Sequence, residues 1–157
     1  MYRVLAAVSF AILASACKTS PGTGAIGPRA AAVMAPVHQF VDGFNKGDTK
    51  SAIAACEERM SIIDDFPPHE WHGVGALAEW MSEYDADAKA KGITEEVVAI
   101  GEPKHVDITG DRAYVVVPAT YGYNQKGKPV KKSAVFTLAL HENENGWRIT
   151  GWCWAQD

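Results

Sequence analysis

The first half of the chain places its apolar residues at the period of an α-helix. One face of a predicted first helix, which ends at Gly47, carries Met34, Val37, Phe40, Val41 and Phe44. Asp48 or Thr49 then caps a short second helix that we expect to end near Glu58 or Arg59. One face of a long third helix, which ends at Gly92, carries Leu77, Trp80, Met81, Tyr84 and Ala88.

The remaining segments are patterned as strands. Residues 60–66 predict a short strand, the Pro67-Pro68 pair enforces a turn, and residues 69–73 are a brief extended piece. From Thr94 onward apolar and polar positions alternate, which predicts strands near residues 96–107, 112–124, 130–142 and 146–155. Turn residues fill the gaps and indicate an antiparallel meander. We therefore expect an α+β fold, with three N-terminal helices packed on a curved antiparallel sheet that forms a cone-shaped half-barrel around a cavity.

The N-terminus has the pattern of an export signal. Arg3 supplies a positive charge, residues 4–14 are apolar, and Ala14-Ser15-Ala16 is a small-residue cleavage site. The apolar run is too short to cross a bilayer core of about 30 Å. These features predict a signal peptide over residues 1–16, a flexible Gly-, Pro-, Ser- and Thr-rich linker over 17–32, and one domain over 33–157.

Cys17 follows the cleavage site directly. Residues 13–17 resemble a bacterial lipobox, although Leu13 stands one position too early, so Cys17 is either the lipidated residue of a lipoprotein or an ordinary thiol after plain cleavage. We expect an extracytoplasmic, periplasmic protein whose contact with a membrane, if any, is a lipid anchor on Cys17.

Composition narrows the list of partners. The chain has 157 residues and a formal net charge of −4. Its basic residues are scattered apart from four lysines near one turn (Lys126, Lys128, Lys131 and Lys132), so nucleic acid is not expected to bind. Cys56 and Cys153 are either paired in a disulfide or are two buried thiols. The spacing of His69 and His72 matches no recognised ligand motif, and we predict neither a metal nor a cofactor.

Three short segments carry a resemblance to a known superfamily. They are the corner at residues 44–48, the entry to the third helix at residues 71–77, and the start of the last strand at residues 146–149. With the order of the elements, they resemble the nuclear transport factor 2-like superfamily, which includes ketosteroid isomerases and SnoaL-type polyketide cyclases. The resemblance implies a pocket that many functions use, and for many members a homodimer through the exposed sheet face.

Asp64 and Asp65 are the candidate catalytic residues. By resemblance, Asp65 lies where the isomerases place the aspartate that moves a proton beside a carbonyl. Adjacent strand residues point to opposite faces, so we expect only one of the two carboxyls to face the cavity. A carboxylate against aromatic walls would have the raised proton affinity that a general base near neutral pH needs. Alternatively, Asp64 or Asp65 simply hydrogen-bonds to backbone amides of the Pro67-Pro68 turn.

The resemblance also exposes a missing group. Phe40 stands where the isomerases have a tyrosine, and it has no hydroxyl to donate to an enolate. Steroid-type isomerisation would therefore need a hydroxyl from Tyr84, Tyr121 or Tyr123.

Aromatic residues supply the candidate ligand-binding surface. Those expected to line the cavity are Phe40, Trp71, Trp80, Tyr84, Tyr121, Phe136 and Trp152. The leading hypothesis is an exported domain that binds a small apolar or ring-bearing molecule. The alternatives are an isomerase-, cyclase- or dehydratase-type enzyme with Asp65 as general base, and a dimeric interaction module.

Overall fold

A computed structural model describes residues 27–156 of the chain. Its elements follow the order α1 (Pro28–Lys46), α2 (Thr49–Ala54), β1 (Cys56–Ile63), β2 (Glu70–Val74), α3 (Ala76–Lys91), β3 (Ile93–Ile100), β4 (His105–Thr109), β5 (Arg112–Gln125), β6 (Lys128–Asn143) and β7 (Gly146–Gln156). The predicted signal peptide and Cys17 lie outside the described residues, so export and lipidation stay predictions. Among helices of the described part, none is long and apolar enough to span a bilayer.

The first helix starts earlier than its apolar pattern indicated. Because α1 begins at Pro28, residues 28–32 are helical and do not belong to the predicted linker. Proline fits the first helical position, where its missing N–H costs no hydrogen bond. The helix ends at Gly47 as predicted, with this glycine in the left-handed region at φ 66°.

The corner after α1 holds the helices against the sheet. The Asp48 side chain accepts a hydrogen bond from Ser51 N at 3.0 Å and caps α2, as predicted. The Asn45 side chain donates to the carbonyl of Val98 and accepts from its N–H, both at 2.8 Å. These two hydrogen bonds join the end of α1 to β3. The helix α2 ends at Ala54, before the predicted Glu58, because β1 starts at Cys56.

The sheet is mixed, which corrects the prediction of a wholly antiparallel sheet. Its order is β2-β1-β7-β6-β5-β3, with β4 also paired to β5, and β1 runs parallel to β7. Hairpins impose antiparallel pairing only on consecutive strands, and β1 reaches β7 through no hairpin. Gly151 permits their close approach, because a Cβ there would lie 2.7 Å from the carbonyl oxygen of Ser61.

Register breaks bend the sheet into a half-barrel. The predicted strand 96–107 is two strands, β3 and β4, and both pair with β5. Gly101 and Pro103 interrupt this segment, since proline cannot donate to the ladder. Further irregularities occur between Thr94 and Val97 and between Ala139 and Leu140, and bulges of this kind increase local bending.

The core lies between the helices and the concave face of this sheet. Its most enclosed residues come from every layer and include Val33, Val37, Ile62, Val115, Val117 and Ile149. The predicted α+β class, with three helices packed on one face of a curved sheet, is confirmed. The two described cysteines are both free. Cys56 pairs with Ile149, which precedes Cys153 on β7 by about 13 Å of strand, too far for a disulfide.

The convex face of the sheet lacks charge at its centre. Residues there are small, apolar or hydroxyl-bearing, and include Val116, Pro118, Thr120, Val135, Thr137, Cys153 and Ala155. This is the face that a homodimer would use, and the dimer stays a prediction.

Candidate functional site

A cavity in two parts lies between α1, α3 and the concave face of the sheet. The inner chamber has a volume of about 70 Å³, and its walls are mainly the aromatic side chains of Phe40, Phe44, Trp80, Tyr84, Tyr121, Phe136, Trp152 and Trp154. The vestibule has a volume of about 290 Å³ and a more polar lining that includes Asp87, Lys91, Tyr123, Gln125 and Lys132. Four residues line both parts and so mark their boundary: Asp65, Tyr84, Tyr121 and Gln156.

Asp64 is the buried acid of the inner chamber. Its residue is 8 % exposed, and it is the one buried polar or charged residue in the described part of the chain. The indole N–H of Trp80 donates to Asp64 Oδ2 at 2.9 Å, and the backbone N–H of Asp65 donates to Asp64 Oδ1 at 2.7 Å. No described cation forms an ion pair with Asp64 within 4.0 Å, so its charge is not neutralised by a salt bridge.

Burial raises the pKa of the Asp64 carboxyl to about 7. A side-chain hydrogen bond with Asp65 acts in the same direction, whereas the N–H of Trp80 stabilises the charged form and lowers the pKa. The two forms of this carboxyl therefore coexist near neutral pH. A group in this state can take up a proton or give one away.

Asp65 differs from its neighbour in exposure, although both line the inner chamber. Burial continues to alternate after β1 ends at Ile63, so that Asp64 is buried and Asp65 is exposed, as expected for neighbouring residues that point to opposite sides. Asp65 is exposed, whereas the desolvated environment expected of a general base surrounds Asp64. Asp64 Oδ1 accepts from the backbone N–H of Asp65, a local contact that precedes the Pro67-Pro68 turn.

A tyrosine pair lies at the boundary between the two parts of the cavity. The hydroxyl oxygens of Tyr84, on α3, and Tyr121, on β5, are 2.5 Å apart, and Tyr84 also donates to Glu96 Oε2 at 3.2 Å. Burial raises the pKa of both phenols, so neither ionises in the neutral range. Burial also raises the pKa of Glu96. Both tyrosines line the same inner chamber as Asp64.

Trp80 is the centre of the aromatic wall. Its ring stacks on Tyr84 with centroids 5.2 Å apart and meets Trp152 edge to face at 4.9 Å. Such pairs hold rings in fixed orientations. The indole N–H of Trp152 is buried and has no acceptor among the described residues.

Of the predicted ligand-binding residues, one lies elsewhere. Phe40, Trp80, Tyr84, Tyr121, Phe136 and Trp152 line the inner chamber. Trp71 instead packs on Phe66 at 5.0 Å, and its N–H donates to Glu83 at 2.8 Å. The chamber is also lined by residues outside the predicted set: Val41, Phe44, Val98, Trp154 and Gln156. Alternation along the last strand could have identified Trp154 and Gln156, because residues 152, 154 and 156 share one face of that strand.

His69 and His72 contact different partners. His69 Nδ1 lies 3.2 Å from the carbonyl oxygen of Asp64, and His72 Nε2 lies 3.4 Å from Glu70 Oε2. Within residues 27–156, no three His, Cys, Asp or Glu side chains are arranged to hold a metal ion.

Comparisons with known proteins identify the fold. No family model matches the sequence, and no curated protein matches it. Among solved structures, a ketosteroid isomerase-like protein from Erwinia carotovora atroseptica has 18% identity and a TM-score of 0.65, over 83% of this chain and 98% of that chain. A nuclear transport factor 2-like protein from Salmonella enterica has 12% identity and a TM-score of 0.67, over 82% and 92%.

A third solved structure has the same architecture. A hexachlorocyclohexane dehydrochlorinase from Novosphingobium barchaimii has 8% identity and a TM-score of 0.70, over 82% of this chain and 86% of that chain. At such identities the likeness concerns the fold alone. The described part of the chain therefore has the α+β cone fold of the nuclear transport factor 2-like and ketosteroid isomerase-like proteins.

Proposed function

We propose that this domain binds a small ring-bearing molecule in the inner chamber and the vestibule, with the Asp64 carboxyl as a principal polar contact. The observation that carries the proposal is the position of Asp64, a buried carboxyl without a described ion-pair partner in the wall of an aromatic chamber. An apolar cavity with a few placed polar groups is the usual form of a small-molecule site.

The size of the two parts constrains the ligand. The inner chamber, at about 70 Å³, is about half as large as an apolar cavity of about 150 Å³ that binds benzene. A ring therefore cannot be held by the inner chamber alone and must extend past the tyrosine pair into the vestibule, whose volume is about 290 Å³. The ligand is apolar at its inner end and carries its polar groups toward the vestibule.

Similar structures support a ring-bearing ligand. The names of two of them, a ketosteroid isomerase-like protein and a hexachlorocyclohexane dehydrochlorinase, refer to compounds with fused or single carbon rings. Because their sequence identity to this chain is low, they indicate the general shape of the ligand and not a particular compound.

Binding of a two-ring probe tests this proposal. We expect 1-indanol to bind with a Kd on the order of 10–100 μM, which is typical of a ligand of about ten heavy atoms. Trp80 and Trp152, in the chamber wall, report binding through their fluorescence. Val98→Phe should weaken binding at least tenfold, because Val98 lines the chamber and a larger ring occupies its volume.

Val97→Phe is the matched control, since Val97 is the adjacent residue of β3 and is 52% exposed. We expect this variant to bind within about twofold of the unsubstituted protein. Equal binding by the two variants would place the ligand outside the chamber. No saturable fluorescence change up to millimolar 1-indanol would end the proposal.

A proton-transfer enzyme is the second candidate, and the pKa of Asp64, raised to about 7, is the observation that favours it. A general base of this kind typically accelerates a reaction by a factor of about 10²–10⁴. Asp64 fits the role better than Asp65, because Asp64 is the buried member of the pair.

Deuterium exchange next to the carbonyl of 1-indanone in D₂O, followed by NMR, tests this second candidate. The protein should accelerate exchange, with a rate that rises as the pH passes about 7. Asp64→Asn should reduce the acceleration at least 100-fold, whereas Asp65→Asn should keep most of it. Loss only in Asp65→Asn would assign the base to Asp65, as the superfamily resemblance implied. No acceleration by the unsubstituted protein would leave ligand binding as the function.

A further inference from the structure

The wall of the inner chamber contains two carboxylic acids, Asp64 and Asp65. Among the described residues that line this chamber, none is Lys, Arg or His. Asp64 is buried and forms no ion pair with a described cation within 4.0 Å. When Asp64 ionises, its charge therefore lies in apolar surroundings without a counter-ion, which is costly unless a ligand supplies one.

The two acids lie close enough to interact. The backbone N–H of Asp65 donates to Asp64 Oδ1 at 2.7 Å. A side-chain hydrogen bond with Asp65 and the charge of Asp65 both raise the pKa of Asp64. Like charges repel when both acids are ionised, so a cation beside them is attracted by both. Each carboxyl oxygen of Asp64 accepts one hydrogen bond and keeps a lone pair for a further donor.

The aromatic part of the wall suits an organic cation. Eight aromatic side chains line the chamber, and aromatic rings attract alkylammonium groups while their surface also accepts the attached carbons. Hard metal ions take about six to eight oxygen ligands, whereas within residues 27–156 no three His, Cys, Asp or Glu side chains are arranged to hold one. An ammonium group on a carbon frame therefore fits this wall better than a bare metal ion.

We propose that the inner chamber selects a ring-bearing amine in its protonated form, with Asp64 and Asp65 as the counter-ions. This inference rests on the proposed ligand binding and names the class of ligand. Because Asp65 borders both parts of the cavity, the ammonium group lies at the end of the inner chamber nearer the vestibule. The apolar part of the ring points inward.

The other charged groups near the chamber leave this preference in place. Lys91, in the vestibule, is paired with Asp87 at 2.7 Å. Lys132 is exposed and lines only the vestibule, where its flexible side chain can hold its own charge in water. Glu96, which accepts a hydrogen bond from Tyr84 at 3.2 Å, adds another carboxyl next to the boundary.

Uncharged polar side chains of the cavity do not decide the charge of the ligand. Gln156, Gln125 and Tyr123 line it and can each donate or accept a hydrogen bond. They can bind an alcohol as well as an amine, so neutral ligands are tolerated. Protonated Asp64 can also donate, and in that state it loses its attraction for a cation. The preference for a cation must therefore depend on pH.

This preference should increase as Asp64 ionises. Burial raises the pKa of Asp64 to about 7, so the carboxyl is mostly ionised at pH 8 and mostly protonated at pH 5.5. Burial also raises the pKa of Tyr84, Tyr121 and Cys153, which stay uncharged over this range. The probe 1-aminoindane is an alkylamine and keeps its proton at both pH values.

Three probes with one carbon frame test the inference. At pH 8, 1-aminoindane is cationic, 1-indanol is neutral and indane-1-carboxylate is anionic. The unsubstituted protein should bind the amine about tenfold more tightly than the alcohol, and the carboxylate most weakly. At pH 5.5 the advantage of the amine should shrink to about twofold. Tighter binding of the carboxylate than of the alcohol would overturn the inference, because the vestibule lysines would then set the selectivity.

Asp64→Asn should reduce the advantage of the amine at pH 8 to about twofold and remove its dependence on pH. His69, whose ring contacts the Asp64 carbonyl, and Glu96 are present in both proteins, so the comparison isolates the Asp64 carboxyl. Asp42→Asn is the matched control, because it removes the same charge from the exposed side of α1. It should keep the ratio of the unsubstituted protein. An unchanged ratio in Asp64→Asn would overturn the inference.

A second readout needs no substitution. A ligand that binds the ionised form of Asp64 about fivefold more tightly than the protonated form lowers its titration midpoint by about 0.7 pH units. Saturating 1-aminoindane should produce this shift in an NMR titration of the Asp64 carboxyl, whereas 1-indanol should leave the midpoint near that of the free protein. Equal midpoints with the two probes would contradict the role of Asp64 as counter-ion.

The outcomes separate this inference from the function on which it rests. If the unsubstituted protein binds none of the three probes, the proposed function and the inference both fail. If it binds 1-indanol as tightly as 1-aminoindane, ring binding stands and only the selection of a cation fails.

Discussion

The stability of the protein should fall by about 3 kcal/mol between pH 4 and pH 7 through Asp64 alone, and Asp64→Asn should remove this fall. Folding raises the pKa of this carboxyl from 3.8 to about 7. Between those values the folded protein holds a proton that the unfolded chain has lost, so rising pH favours unfolding by about 1.4 kcal/mol per pH unit. The stabilisation is complete below about pH 4 and is lost as the pH rises through about 7.

Urea unfolding at a series of pH values measures this effect. The difference in free energy of unfolding between the unsubstituted protein and Asp64→Asn isolates one group, because other titrating residues are common to both. Asp42→Asn, on the exposed side of α1, serves as control and should follow the unsubstituted profile. Parallel profiles for the unsubstituted protein and Asp64→Asn would mean that Asp64 keeps an ordinary pKa in the folded state.

Trp80→Ala should lower the free energy of unfolding by about 3–5 kcal/mol, the range for a buried tryptophan. Trp80 is 4 % exposed, contacts Tyr84 and Trp152, and provides the side-chain donor to Asp64. Trp80→Phe keeps an aromatic ring but loses the N–H and part of the buried ring volume, so its cost should be smaller, about 1–3 kcal/mol. In the phenylalanine variant the pKa of Asp64 should rise further, because the N–H lowers it.

Thermal or urea unfolding of the two variants at pH 5 provides the comparison, since Asp64 is then mostly protonated in both. A decrease of less than about 2 kcal/mol in the free energy of unfolding of Trp80→Ala would show that neighbouring rings move into the space left by the indole. An unchanged pKa of Asp64 in Trp80→Phe would show that the hydrogen bond at 2.9 Å is not formed in solution.

Local patterns in the sequence predicted the elements that local forces decide. The stop of α1 at Gly47 and the cap of α2 at Asp48 follow from backbone and side-chain geometry within a few residues. The start at Pro28 was missed because Ala30, Ala31 and Ala32 have high helix propensity but add little to an apolar period. Composition alone made the segment resemble a linker.

Pairing between distant segments could not be predicted from local sequence patterns. The parallel contact of β1 with β7 joins segments far apart in sequence, and no turn between them fixes its direction. For the same reason the tyrosine pair was only a set of candidates, since Tyr84 and Tyr121 meet across the space between a helix and a strand. Asp65 was preferred over Asp64 because a motif position does not reveal which of two neighbouring side chains is desolvated.

The central claim is that Asp64 is a buried carboxyl, poised between its two protonation states, in the wall of the cavity. An NMR titration that follows the side-chain carboxyl carbon of Asp64, assigned by its loss in Asp64→Asn, tests this claim most directly. We expect a midpoint at about pH 7. A midpoint near pH 4, the ordinary range for aspartate, would contradict it.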